Sequence, residues 1–215
     1  AIAGPGYWGT NYTILRIKKR SNTVTDINGN EYHFVTVGTQ VWMTENLRVS
    51  NYNDGTNIPT GLSDIAWAAD TVGAYDTYNH SSLNEQVYGK MYNGYAVATG
   101  KLAPTGWHVA TDAEWTTLVN YLGGDAEAGG PLKATTLWQT PNGGATNSSG
   151  LSILPSGYRN ANLSSVFANI TLSANIWTST GAGTQAYYRV MNYQNTNAYR
   201  IAESKKLGMA VRCVR

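Results

Sequence analysis

The residues able to carry chemistry are few and scattered. His33, His80 and His108 stand far apart in a chain of 215 residues, never at the i, i+4 spacing that places two metal ligands on one helix face. His108, between Trp107 and Val109, is expected to be a hydrogen-bonded imidazole in a buried turn, since a metal would need further ligands of suitable type. The single cysteine, Cys213, lies in a strand-like run at the chain end. A nucleophilic site also needs a base and an orienting group. Asn51, Asn53 and Asp54 offer oxygens, but a hard cation takes six to eight, several of them carboxylates. Asn53-Asp54-Gly55 therefore reads as a turn in which side chains bond local backbone, with calcium left open. No catalytic residue, metal ligand or cofactor is expected.

What the chain does offer is contact surface. Tyr158, Tyr187, Tyr188, Tyr193 and Tyr199 lie among Asn160, Asn162, Asn169, Asn175, Asn192, Gln194, Asn195 and Asn197. Tyr gives large contact area at small rotamer-entropy cost, and Asn adapts its hydrogen bonds, as in antibody paratopes. Composition alone divides evenly between that reading and one in which these residues merely decorate strands and turns.

The elements that must position them follow from patterning. Residues 1–22 read as an arm or first strand interrupted by Gly4, Pro5, Gly6 and Gly9. Asn28-Gly29 predicts a hairpin whose two central residues take positive φ, leading into Tyr32, Phe34, Val35 and Val37 and then Val41-Trp42-Met43, a β-meander. Loops and short helices are expected over 51–84, then a short strand or helix at Met91–Tyr95. The clearest helix starts at Thr111, an N-cap with Glu114 three residues on. Trp115, Leu118, Val119 and Leu122 form its apolar face, and Gly123-Gly124 stops it. After a loop-rich stretch over 129–150, strands are expected at Leu151–Leu154, Ile176–Thr178, Tyr187–Met191 and Met209–Val214. Strand-like runs at both ends around one strong helix make an α+β fold rather than alternating βαβ units, with no internal repeat of 20 to 50 residues.

Composition excludes several classes. The chain is 42% hydrophobic and 11% aromatic, too apolar for a disordered chain. Only 13% of its residues are charged, against ~25% on average. One cysteine rules out a disulfide framework, and no run approaches the ~18 apolar residues of a membrane span. Net charge is +2; removing Arg16, Lys18, Lys19 and Arg20 leaves 11 basic against 13 acidic residues. A nucleic-acid groove would need a basic face on the body, so that run is read as a solvated arm or edge strand. Ala1 opens no secretory signal, while the Tyr-, Asn-, Thr- and Gly-rich, weakly charged composition leans extracellular.

Several motifs occur in order: Thr25-Asp26-Ile27-Asn28-Gly29-Asn30, Val41-Trp42-Met43-Thr44-Glu45-Asn46-Leu47, Tyr52-Asn53-Asp54-Gly55 and Gly89-Lys90-Met91-Tyr92-Asn93. They continue with Pro104-Thr105-Gly106-Trp107-His108-Val109, Thr111-Asp112-Ala113-Glu114-Trp115, Gly157-Tyr158-Arg159-Asn160, Trp177-Thr178-Ser179-Thr180 and Val211-Arg212-Cys213-Val214-Arg215. Over roughly 23–215 this resembles the Fibrobacter succinogenes major paralogous domain family. The resemblance implies a C-type-lectin-like, formylglycine-generating-enzyme-like fold, with 1–22 as an arm and 23–215 as the ligand-binding domain. It also implies kinship with variable proteins of diversity-generating retroelements, in which a reverse transcriptase mutates a C-terminal block. On that pattern the exchangeable positions are Asn160, Asn162, Asn175, Val190, Asn192, Gln194, Asn195, Asn197, Tyr199, Ile201 and Glu203. Trp177, Arg189, Gly208, Val211 and Arg212 fall on fixed framework.

One departure is Ala103, where the family often has a Cys whose partner would be Cys213, so Cys213 is expected to be a buried apolar thiol. Formylglycine-generating enzymes use cysteine thiols with copper, which one cysteine does not supply, and a scaffold does not carry function with it. The Glu-Pro-Asn, Gln-Pro-Asp and Trp-Asn-Asp sequences with which sugar-binding C-type lectins hold calcium do not occur. The leading expectation is a non-enzymatic display protein, anchored by Trp42, Trp107, Trp115 and Trp177. It is expected outside the cell, on a cell surface or virion, recognising a protein or glycan. The alternative is a fixed carbohydrate-binding adhesin module.

Overall fold

The computed structural model describes residues 22–161 and 166–215. The basic run, all of the expected arm except Asn22, and Asn162 lie outside them. Strand β1 (Thr23–Thr25) turns into β2 (Glu31–Val37) through a five-residue loop organised by Asp26. The Asp26 carboxylate accepts from the backbone N–H groups of Asn28 (2.8 Å) and Asn30 (3.0 Å) and from the Tyr32 hydroxyl (2.7 Å). Gly29 takes φ 81°, whereas Asn28 has no positive φ. The expected two-residue turn is thus replaced by a longer loop, because a carboxylate satisfies the N–H groups that a tight turn would have paired across the strands.

Strand β3 (Gln40–Met43) completes the meander. Beside it lies β13 (Cys213–Val214), which also pairs with β6 (His108–Val109), so the sheet order is β1-β2-β3-β13-β6. Cys213 is free and fully buried, as expected, and burial pushes its thiol far above the ordinary range.

On the outer face of β2, His33 Nδ1 meets Glu45 Oε1 at 2.7 Å. The hydrogen bond and charge of Glu45 raise the imidazole above its ordinary 6.5. The pair therefore favours the folded state below pH 6.5, an advantage lost as pH climbs through the raised value. An NMR titration should find His33 above 6.5 in the wild type and close to it in Glu45→Gln; no change between the two would refute the pairing.

Between the sheets' strands run short elements: α1 (Asp64–Ala69), β4 (Tyr75–Asp76), a 3₁₀ turn at Tyr78–His80, α2 (Ser82–Tyr88), β5 (Met91–Asn93) and α3 (Gly94–Ala98). Met91–Tyr95 is thus both of its expected alternatives, a strand running into a helix. Asn53-Asp54-Gly55 is the expected turn: Gly55 N–H donates to Tyr52 O (2.8 Å), while the Asp54 carboxylate accepts from Thr56 N–H (3.0 Å) and Lys101 Nζ (2.8 Å).

Helix α4 (Asp112–Tyr121) carries the expected capping box. Glu114 N–H donates to Thr111 Oγ1 at 3.1 Å, and Thr111 N–H donates to Glu114 Oε2 at 2.8 Å. Burial works to raise the Glu114 carboxyl, but hydrogen bonds from Thr111 and His108 outweigh it and hold it below the ordinary value. His108 itself is exposed, correcting the expectation of a buried turn. The pleat points it away from its buried neighbours, and its Nε2 bonds Glu114 Oε1 at 2.7 Å.

The second sheet runs β11-β10-β9-β7-β12-β5-β4, with β8 on β7. Its strands are β7 (Ser156–Arg159), β8 (Phe167–Ile170), β9 (Ser173–Ala182), β10 (Gln185–Asn192), β11 (Tyr199–Ser204) and β12 (Gly208–Val211). Two expected strands differ. Leu151–Leu154 forms one isolated bridge, Lys133 with Ile153. Met209–Val214 breaks at Arg212, so that β12 joins one sheet and β13 the other. The tryptophan core is likewise divided: Trp107 and Trp177 belong to one apolar cluster, Trp42 and Trp115 to another. Trp42 and Trp115 meet edge-on at 4.8 Å. The architecture is α+β.

Candidate ligand-binding surface

The site is built on β9, β10 and β11. Across the strands Val190 stands opposite Asn175 and Tyr199, Tyr188 opposite Trp177 and Ile201, Ala186 opposite Glu203, and Asn192 opposite Ser173. Side chains two apart on a strand share a face. Asn175, Val190, Asn192, Tyr199, Ile201 and Glu203 therefore share one.

The alternate face is core, and on the site's own face Trp177, Ala186 and Tyr188 are buried in the cluster of Trp107. Ala174, Ile176 and Met191 are fully buried and pack in the cluster that holds Trp115, Leu118 and Val119 of α4. Arg189, 1% exposed, points the same way and is held by Asp125 Oδ1 (3.0 Å) and Thr116 Oγ1 (2.8 Å). Arg200 pairs with Asp112 at 2.8 Å and lies 3.8 Å over the Tyr187 ring. Trp177, Arg189, Gly208, Val211 and Arg212, expected on fixed framework, are all buried. At Gly208 a Cβ would stand 2.9 Å from the Trp67 ring.

On the open face lies a cavity of about 500 Å³, within the roughly 300–1,000 Å³ typical of ligand sites. Six of the eleven expected residues line it: Asn160, Asn175, Val190, Asn192, Ile201 and Glu203. Tyr158, Asn169 and Tyr188, noted in the sequence for their type, line it too. Asn175 is 4% exposed and donates to Ser173 Oγ at 2.7 Å. Burial, with Glu203 and Tyr158 nearby, pushes the Tyr188 hydroxyl up to about 12. Ser173, Leu207 and Met209 complete the wall. Sequence reasoning missed these three: Leu207 and Met209 reach the cavity because β12 and its preceding turn fold back beside the sheet, and Ser173 because the register sets it opposite Asn192.

Gln194, Asn195 and Asn197 fall outside the cavity, on the β10–β11 connection, and Tyr199 sits at the sheet edge on the same face as Val190. Several of these side chains build the connection itself. Asn192 Oδ1 accepts from Gln194 N–H (3.0 Å) and Asn195 N–H (3.2 Å), and Asn195 Oδ1 accepts from Asn197 N–H (3.1 Å). At Asn192 and Asn195 the turn-forming alternative therefore holds alongside any contact role. Beneath the connection, Lys133 Nζ donates to the carbonyls of Gly143, Asn192 and Asn195 at 2.8–3.0 Å. Gly129 N–H donates to Thr196 O at 2.7 Å, an approach open only to glycine: a Cβ there would stand 2.6 Å from Asn197 O.

Among the described residues no group of three or more His, Cys, Asp or Glu is placed to hold a metal, and no helix is long and apolar enough to cross a membrane.

Residues 35–215 match the model of the Fibrobacter succinogenes major domain, and the chain belongs to that family. No match was found among curated proteins or among solved structures.

Proposed function

We propose that this chain is a non-enzymatic recognition module with a C-type-lectin-like fold, a variable protein of a diversity-generating retroelement displayed on a cell surface or phage tail. Its ligand is a protein or glycan, met by the open face of β9–β11. One observation carries the reading: six of the eleven residues singled out as exchangeable, scattered from Asn160 to Glu203 in sequence, line one cavity. On β9 and β10 the alternate residues Ala174, Ile176 and Met191 are buried in the cluster that holds α4. Such a division suits a surface that changes while its scaffold does not, since surface substitutions stay within about 0.5 kcal/mol.

A displayed library varying Val190, Gln194, Tyr199, Ile201 and Glu203 together tests this. Most members should fold, with Tm within roughly 5 °C of the parent, and selection on a panel of proteins and glycans should enrich different sequences for different ligands. General unfolding of the library, or enrichment of the same new sequence whatever the ligand, would refute the reading. Enrichment of the parent sequence alone on one sugar class would favour the fixed adhesin.

A further inference from the structure

The cavity on the β9–β11 face carries a single charge. Among the described residues lining it Glu203 is the one ionised side chain, and none is basic. Its Oε2 accepts from Ser204 N–H at 3.1 Å, and among the described residues no Lys, Arg or His lies within ion-pair distance. Acids that hold the fold are paired instead: Asp64 and Asp76 with Arg159, Asp112 with Arg189 and Arg200, Asp54 with Lys101. Lys205, two residues along, is committed elsewhere, donating from Nζ to Gly183 O at 3.1 Å.

Around this carboxylate the lining supplies what a cationic side chain needs. Tyr158 and Tyr188 bring aromatic rings, whose faces attract cations. Val190, Ile201 and Met209 give an apolar wall on which an aliphatic stem can lie while its charged end reaches a counter-ion. An anionic ligand would meet Glu203 with no compensating charge from the lining.

We propose that this cavity, on the recognition reading above, takes the ammonium or guanidinium end of a lysine or arginine side chain presented by a protein partner, with Glu203 as its counter-charge. Protein-detected NMR titration with Nα-acetyl-lysine N-methylamide and its arginine counterpart tests it. The expected result is millimolar binding with shifts centred on Asn175, Tyr188, Val190 and Ile201. Glu203→Gln should weaken it at least tenfold, about 1.4 kcal/mol, without changing Tm, and the norleucine counterpart should produce no such shifts. Absence of shifts into the tens of millimolar, equal binding by Glu203→Gln, or equal response to norleucine would overturn the assignment. Binding of the neutral probe would remove the cation while leaving the recognition surface standing; that surface falls only by the library experiment.

Discussion

Replacing Lys133 by methionine is expected to destabilise the protein by about 3 kcal/mol, because three partly buried carbonyl oxygens lose their donor and each costs about 1 kcal/mol, the low end for an unsatisfied group. Lys133 is 0% exposed, and its ammonium sits 5.3 Å over the Trp138 ring. Its three acceptors belong to Gly143, Asn192 and Asn195, so the loss falls on the connection that presents Gln194, Asn195 and Asn197. Urea unfolding should show the lowered midpoint, and amide exchange should speed up first at 193–198. A methionine variant as stable as wild type would show that the ammonium does not hold this connection. Burial also pulls the Lys133 ammonium down to about 8 from 10.5. Between those values the unfolded chain binds more protons, so this group makes wild-type stability rise with pH. The gap to the variant, which lacks the titration, should widen over that window.

Arg212→Met is expected to cost about 4 kcal/mol, because buried acceptors on Asn46, Met43 and Leu151 lose their donor at roughly 1–3 kcal/mol each, and to lower Tm by roughly 10 °C for a chain of this size. Arg212 is 1% exposed. Its Nε donates to Asn46 Oδ1 at 2.7 Å, and one terminal nitrogen donates to the carbonyls of Met43 (2.9 Å) and Leu151 (3.0 Å). Burial pulls the guanidinium down to about 10, leaving it protonated at neutral pH. It stands where the chain passes from β12 to β13, and so ties the two sheets to the 151–154 segment. Arg212→Lys keeps the charge but not the planar fork of donors and should fall between wild type and methionine by calorimetry. Equal Tm values for all three proteins would refute this role.

These two side chains mark where the sequence stops being legible. The capping box at Thr111 and Glu114 is written within four residues and forms as read. The meander closes too, although Asp26 replaces the expected tight turn by binding Asn28 and Asn30 N–H. Burial of Trp42, Trp107, Trp115 and Trp177 follows from their size and apolarity. By contrast, a lysine followed by Ala134 and Thr135 looks solvated. Its burial depends on carbonyls up to 62 positions away. Leu151–Leu154 reads as a strand because its side chains are apolar, yet two of its carbonyls, Leu151 O and Ile153 O, accept from Arg212 and from the Trp138 indole.

The candidate site divides in the same way. Tyr and Asn types between Gly157 and Glu203 are visible in composition, and alternation along Tyr187–Met191 already implies two faces. Which face lies open depends on the register of β9, β10 and β11 and on α4 covering Ile176 and Met191. Asn175 and Glu203, 28 positions apart, line one cavity, while Asn195 and Asn197 fall on the connection outside it.

The sequence by itself determined the family, the α+β class, the main helix and the Tyr- and Asn-rich character of the final third, because capping, patterning and side-chain type act over a few neighbours. The tertiary structure decided which of those residues share a cavity, and that Lys133 and Arg212 serve as buried struts. Both depend on strand register and on hydrogen bonds between segments distant in sequence, whose partners exist only once the chain has closed on itself.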